Sequence, residues 1–507
     1  MHHLRHQCHL SSWGVLLVIV ALSHLLTGCE TSVLESLTPP TCAEQLDQPD
    51  IEDLIAQAVE VAVSRGQNVS IAITNREGDT LAIFAMTDSQ GDPSDAVDRA
   101  RTAAYLSSNQ HAFTSLTACF ITRNHFPPGV SNTPGGPLFG VSFSQLSNSD
   151  IQPNGATETG RPGLVGNPGG VPVYKNGCLV GGIGISGGEG SFEPAFCAGQ
   201  TEDEVIALQA VNGYEVPPDK RGDNIFIDGI RFLYANASPP TFNFSAAFDV
   251  SSLGAYLISP QPGPSSRYPD GGYVSFSGHD FTAMGGSVLT QADVDRIIQQ
   301  AVAQAARTRA AIRRPLGVPA QVFIAVVDVN GSVLGVWRTS EATIFSFDVS
   351  VQKARTAAAF SNPNMQGFGD VIRSVLNISA PNQLAITTRA IGFLAQDFFP
   401  PGIDRDTLGM AVQAGPLFGL QNDLSATTSL PPSGNGITIF PGGIPLYKNG
   451  QLAGAIGVSG DGVDQDDLIA FAGTIGFEAP EEIRCDMFFY KSVRLPFVKF
   501  PRSPEIP

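Results

Sequence analysis

Chemistry could reside at several kinds of position in this chain of 507 residues, first among them a cysteine closing an apolar run, two Arg-Thr dipeptides, two glycine pairs and two loop histidines. Leu26-Thr27-Gly28-Cys29 has the pattern of a lipobox, with small residues before a cut and a thiol, Cys29, that accepts a diacylglycerol. Arg101-Thr102 and Arg355-Thr356 each set a planar cation suited to a carboxylate beside a hydroxyl. The same side chains could instead cap loops and close a domain around its own acidic residues. Gly169-Gly170 and Gly442-Gly443 let the backbone come close to a ligand or to another strand. His111 and His125 are candidate metal ligands, although loop histidines are often simply solvated; Met365, Met410, Tyr174 and Tyr447 are further candidate axial groups. Ser186-Gly187-Gly188 and Ser459-Gly460-Asp461 could turn backbone N–H groups towards an anion or merely begin a helix.

The apolar run at residues 15–22 continues to Leu25, which is short for a membrane span and right for a signal-peptide core. Residues 1–28 are therefore expected to be a lipoprotein signal peptide and 29–49 a tether, with lipid as the anchor to the membrane. Glu30, rather than Asp, after the cysteine is similar to enterobacterial sorting patterns that favour the outer membrane, facing periplasm or exterior. A net charge of −18 would repel nucleic-acid phosphates, so nucleic acid is not an expected partner. Beyond Cys8 and Cys29 the cysteines are Cys42, Cys119, Cys178, Cys197 and Cys485, which permit two bridges and leave one thiol. GxSxG, HExxH, Walker and Rossmann patterns do not occur, so hydrolase, protease and nucleotide-enzyme readings lack support.

The elements that must position these residues occur twice. ARTAA at residues 100–104 recurs at 354–358, GPLFG at 136–140 recurs at 415–419, and PGGVPVYKNGCLVGGIGISG at 168–187 recurs as PGGIPLYKNGQLAGAIGVSG at 441–460. Each copy opens with apolar residues at helical spacing: Ile51, Leu54, Ile55, Ala58 and Ala62, then Val294, Ile297, Ile298, Ala301 and Ala305. Hairpins follow, with turns at Glu77-Gly78, Asn330-Gly331, Asn176-Gly177 and Asn449-Gly450. Helix, hairpin, helix, hairpin, helix predicts an α+β fold, an antiparallel sheet flanked by helices, over residues 50–235 and again over 290–500. Residues 236–289, rich in Pro and Gly, read as an ordered linker, and 501–507 as a tail.

The KARTAAAF run from Lys353, the GGIP turn from Gly442 and the GAIGVSG strand from Gly454 resemble the GlcG-like family of haem-binding or haem-degrading domains. That resemblance implies two tandem profilin-like domains and, as ligand, haem or a related tetrapyrrole. It would make Arg101 and Arg355 partners for propionates. Haem degradation is implied by the family's name alone, and a non-catalytic module presenting loops to a partner protein is the alternative. Histidine is absent after His279, so imidazole ligation would fall to the first copy. A duplicated chain can also satisfy family self-association internally, as a pseudo-twofold dimer packed through its sheets or first helices, or else form a homo-oligomer.

Overall fold

Helix α1 (Gln48–Ser64) starts at a capping box in which Asp47 and Asp50 each accept the other's backbone N–H. Its stripe of Ile51, Leu54, Ile55, Ala58 and Ala62 is fully buried. The computed structural model describes residues 42–141, 149, 151, 164–276, 279–365, 367–379, 383–403, 414–419 and 434–506, so Cys29 and Met410 lie outside the described residues. The hairpin β1 (Ser70–Asn75)–β2 (Thr80–Met86) turns where Asn75 Oδ1 accepts the N–H groups of Glu77 and Asp79. Helices α2 (Pro93–Tyr105) and α3 (Ser115–Thr122) precede the hairpin β3 (Gly170–Lys175)–β4 (Cys178–Ser186), and α4 (Glu202–Ala210) follows it. Asn176 and Gly177 both take positive φ at the tight turn, as the Asn-Gly pair predicts.

A short hairpin, β5 (Phe226–Ile227) and β6 (Ile230–Arg231), closes the first copy. The segment read as a linker then contributes strands. β7 (Gly254–Ile258) pairs with β2, giving the order β3-β4-β1-β2-β7, and β8 (Gly272–Tyr273) becomes the edge of the next sheet. β9 (Ser275–Phe276) and β10 (His279–Asp280) form a small ribbon beyond it. The second copy repeats the plan with α5 (Gln291–Ala305), β11 (Phe323–Asp328), β12 (Val333–Arg338), α6 (Ser346–Ser361), α7 (Gly369–Val375), α8 (Thr388–Leu394), β13 (Gly443–Lys448), β14 (Gln451–Ser459), α9 (Val463–Gly473) and the hairpin β15 (Phe489–Tyr490)–β16 (Val493–Arg494). Its sheet order is β13-β14-β11-β12-β8, and all its pairings are antiparallel. Each sheet thus has helices on both faces: α1 and α4 on one face of the first, α2 on the other. Glycine permits the closest of these contacts, because a Cβ on Gly184 would overlap Ala96 O of α2, and one on Gly457 would overlap Ser350 O of α6.

Residues Cys42–Pro507 form one compact unit containing both copies. The expected pairing of sheets or first helices is not what joins them. Helices α1 and α5 pack within their own copies, while the second helices and the loops after them meet. One buried cluster unites Tyr105, Leu106, Phe113, Phe120 and Phe126 of the first copy with Phe323, Phe345, Phe347 and Val351 of the second. Counterpart residues also touch each other. Asn124 Nδ2 donates to Asp397 Oδ2 at 2.7 Å, and the His125 ring stacks on Phe398 at 5.3 Å. Self-contact between equivalent positions is the mark of a twofold relation, here inside one chain. Glu341 fastens the junction by accepting from the backbone and side chain of Asn109 and pairing with Arg76. Cys42–Cys178 and Cys119–Cys197 are bridged, and Cys485 is a buried thiol. Among the described residues no helix is long and apolar enough to cross a membrane.

Candidate functional site

The Arg-Thr pairs face inward. Arg101 Nε donates to Gly78 O in the first hairpin turn (3.1 Å) and Arg355 Nε to Gly331 O in the matching turn (2.9 Å). Arg355 also reaches Asn435 Oδ1. Thr102 accepts the N–H of Val165, and Thr356 that of Thr438, so each pair ties the hairpin turn to the segment leading into the paired glycines. Gly170 N–H donates to Ser115 Oγ and Gly443 N–H to Thr388 Oγ. A Cβ on Gly170 would overlap Arg99 O and one on Gly443 would overlap Lys353 O. With Gly169 and Gly442 at positive φ, the glycines serve a close approach of strand to helix.

Two residues before each of these arginines stands a buried cation that the sequence reading did not single out. Arg99 pairs with Asp203 at 2.5 Å, and Lys353 with Asp466 at 2.7 Å. Burial pushes the Asp466 carboxyl up to about 7 against the opposing pull of Lys353, and burial lowers Lys353 in turn. The next carboxylates differ between copies. Burial pushes Glu204 up to about 7, opposed only by backbone N–H groups of Ala237 and Asn236. Asp467 instead pairs with Arg389 and accepts from Gly442 N–H and Lys499 N–H. The signal available in sequence was the acidic pair at the matching position of each closing helix, Asp203-Glu204 and Asp466-Asp467.

The candidate iron ligands are occupied elsewhere. His111 is fully buried, with Nδ1 2.9 Å from Ser108 Oγ and Nε2 3.0 Å from Leu106 O. Burial, reinforced by Arg313, holds it well below the ordinary imidazole value. His125 lies in the stack with Phe398 at the junction. Tyr174 donates to Ser108 O, the buried Tyr447 hydroxyl to Leu384 O, and Met365 packs on the second core. The described residues hold no cluster of three or more His, Cys, Asp or Glu side chains able to bind a metal ion.

A groove of about 560 Å³ runs along the junction. The first copy contributes the loop from Pro134 to Phe139, and the second contributes Phe393 of α8, Ile439 and Phe440 ahead of the glycine pair, and Leu495 and Phe497 of the tail. Arg389, Arg494 and Lys499 also line it. Arg389 is held by Asp464 and Asp467, whose charges outweigh its burial and keep it firmly protonated. Arg494 pairs with Asp486 and Lys499 with Asp464, yet their side chains remain 60% and 59% exposed, on the rim. The repeated GPLFG loops are used unequally: Phe139 is buried in the second copy's core, whereas Phe418 is 46% exposed.

An antiparallel sheet between two helical layers, duplicated and joined about an internal twofold, defines a tandem α+β protein. The chain belongs to the HbpS-like haem-degrading protein family, whose model matches residues 46–211 and 289–474, one stretch per copy and more than half the chain together. It is 26% identical over 164 residues to the corrinoid adenosyltransferase PduO of Citrobacter freundii, a match covering 32% of this chain and 34% of that protein. The chain thus spans about a third of the length of that relative. Among solved structures it resembles the protein ORFY of Klebsiella pneumoniae (25% identity, TM-score 0.24, 39% of this chain and 97% of that one). It also resembles a PduOC:haem complex (21% identity, TM-score 0.24, 38% of this chain and 97% of that one).

Proposed function

We propose that the chain is an exported binding protein for haem or a related tetrapyrrole, held at the cell envelope, with the outer membrane favoured, by lipid on Cys29. The carrying observation is the junction groove. Its volume of about 560 Å³ lies within the roughly 300–1,000 Å³ typical of small-molecule pockets. Aromatic and aliphatic side chains wall it, and Arg494 and Lys499 stand at the rim where a ring's carboxylates would emerge. In this reading Phe393 meets the ring with the buried Phe440 and Phe497 backing the wall, the two rim cations orient its acid groups, and Arg355, Thr356, Gly442 and Gly443 position the wall from behind. Haem brings a redox-active iron when bound. The residues fit the body and the charges of such a ligand; the described lining residues include no His, Met, Cys or Tyr to ligate the metal. The alternative module presenting loops to a partner protein gains less support, because the residues just ahead of the two Phe-Pro-Pro-Gly segments, 126–129 and 399–402, meet each other within the chain. Titrating the unlipidated mature chain with haemin tests the reading. Saturable growth of a Soret band is expected, and a spectrum equal to the sum of free haemin and protein rejects it.

A further inference from the structure

The two copies differ at the groove. Hydrogen bonds fix the correspondence. Ser115 and Thr388 accept the N–H groups of Gly170 and Gly443, Thr114 and Thr387 donate to Tyr234 O and Phe497 O, and Glu204 and Asp467 accept from Asn236 and Lys499. On that register Arg389 corresponds to Leu116, Gly392 to Cys119, Lys499 to Asn236, and Arg494 to Arg231. The first copy has therefore lost two of the three cations. It has also gained a plug. Between β4 and α4 it carries residues 187–201, where the second copy has only 460–462 between β14 and α9. Cys197 of that insertion is bonded to Cys119, and Leu116, Phe192 and Leu233 pack around the bridge. What is open groove in the second copy is apolar core in the first.

We infer that the chain takes one planar aromatic carboxylate per molecule, in the second copy's groove, and that it does so by ring stacking and rim charge, with no metal ligand among the described residues of the wall. This rests on the proposed tetrapyrrole reading. The described wall contains no imidazole, thiolate, thioether or phenol. Its one amine, Lys499, pairs with Asp464 at 2.8 Å. The described histidines lie elsewhere, His111 engaged through both ring nitrogens, His125 in its stack and His279 against Phe281. A site built in this way distinguishes ligands by ring and carboxylates, and iron adds little to it.

The test compares haemin with metal-free protoporphyrin IX on the unlipidated mature chain, by absorbance and by quenching of intrinsic fluorescence. Both should bind at one per chain with Kd values within about threefold of each other, under 1 kcal/mol. Arg494→Glu and Lys499→Glu, both at exposed positions, should weaken both ligands by about tenfold each, as charge reversal at a rim does. Arg231→Glu, at the equally exposed counterpart in the first copy, should change neither. Two ligands per chain, or equal weakening by Arg231→Glu, overturns the one-groove assignment. Haemin binding with protoporphyrin more than about a hundredfold weaker overturns the metal-independent mode and leaves the tetrapyrrole reading standing. Failure of both ligands rejects that reading together with the inference.

Discussion

Glu204 offers a measurable consequence of the difference between copies. Its carboxyl is 3% exposed, with backbone N–H groups of Asn236 and Ala237 as partners and no cation in the place that Arg389 takes beside Asp467. Burial raises it from an ordinary 4.5 to about 7. A raised carboxyl favours the folded state while it keeps its proton, so its contribution is complete below pH 4.5 and is lost as the pH rises through about 7. At about 1.4 kcal/mol per pH unit, that loss is about 3 kcal/mol. Glu204→Gln keeps an oxygen able to accept the same N–H groups and removes the titration. Whatever fixed cost the amide carries, the variant should gain about 3 kcal/mol relative to the parent between pH 4.5 and pH 8. Urea unfolding at the two pH values, followed by far-UV circular dichroism, measures this. Because both chains share every other titrating group, the difference isolates Glu204. A relative change below about 1 kcal/mol, or a gain at the acidic end, would refute the argument that burial leaves this carboxyl without a charged partner.

Lys353→Met should destabilise the chain by about 3–5 kcal/mol, because it leaves the Asp466 carboxylate buried without its cation. Adding Asp466→Asn should recover part of the loss, and a urea midpoint that stays put in the single variant would count against the pair as a support of the fold. Cys29→Ser should yield an unlipidated form by mass spectrometry that no longer sediments with membranes; an unchanged distribution would place the anchor elsewhere.

The parts of this protein legible in sequence are those that chain-local physics determines. The first-helix stripes and the Asn-Gly turns each lie within a few residues, and the repeated blocks carry the duplication and the family resemblance. The face of association was less visible. All sixteen residues of α6 are buried, so a helix carrying Asp348, Lys353 and Arg355 has no solvent side, and its charges have to be met inside. That burial follows from the enclosure of α6 between its own sheet and the other copy, which appears only once the copies are packed. β7 and β8 were hidden for another reason. An edge strand pairs on one side only and is half-exposed, and two to five such residues show no periodicity against a background rich in Pro and Gly.

The groove could not be read locally at all, because its wall joins Phe139 to Arg389, Phe440 and Lys499 across 360 residues. What linked them was the duplication, taken as a physical comparison. Two copies that share the first-helix capping boxes, the hairpin turns and the glycine approaches at Gly170/Gly443 and Gly184/Gly457 have many of the same reasons to fold, so a difference between them at equivalent positions calls for a separate cause. Leu116 for Arg389, Cys119 for Gly392 and Asn236 for Lys499 fall on one face, and the disulfide-held insertion covers that face in the first copy. Folding alone would be served as well by plugging both copies as by plugging one. Among the described residues, an apolar groove beside charged side chains leaves Phe393 only partly buried at its wall, an arrangement that does little for the unliganded fold and acquires a rationale when a ligand covers it.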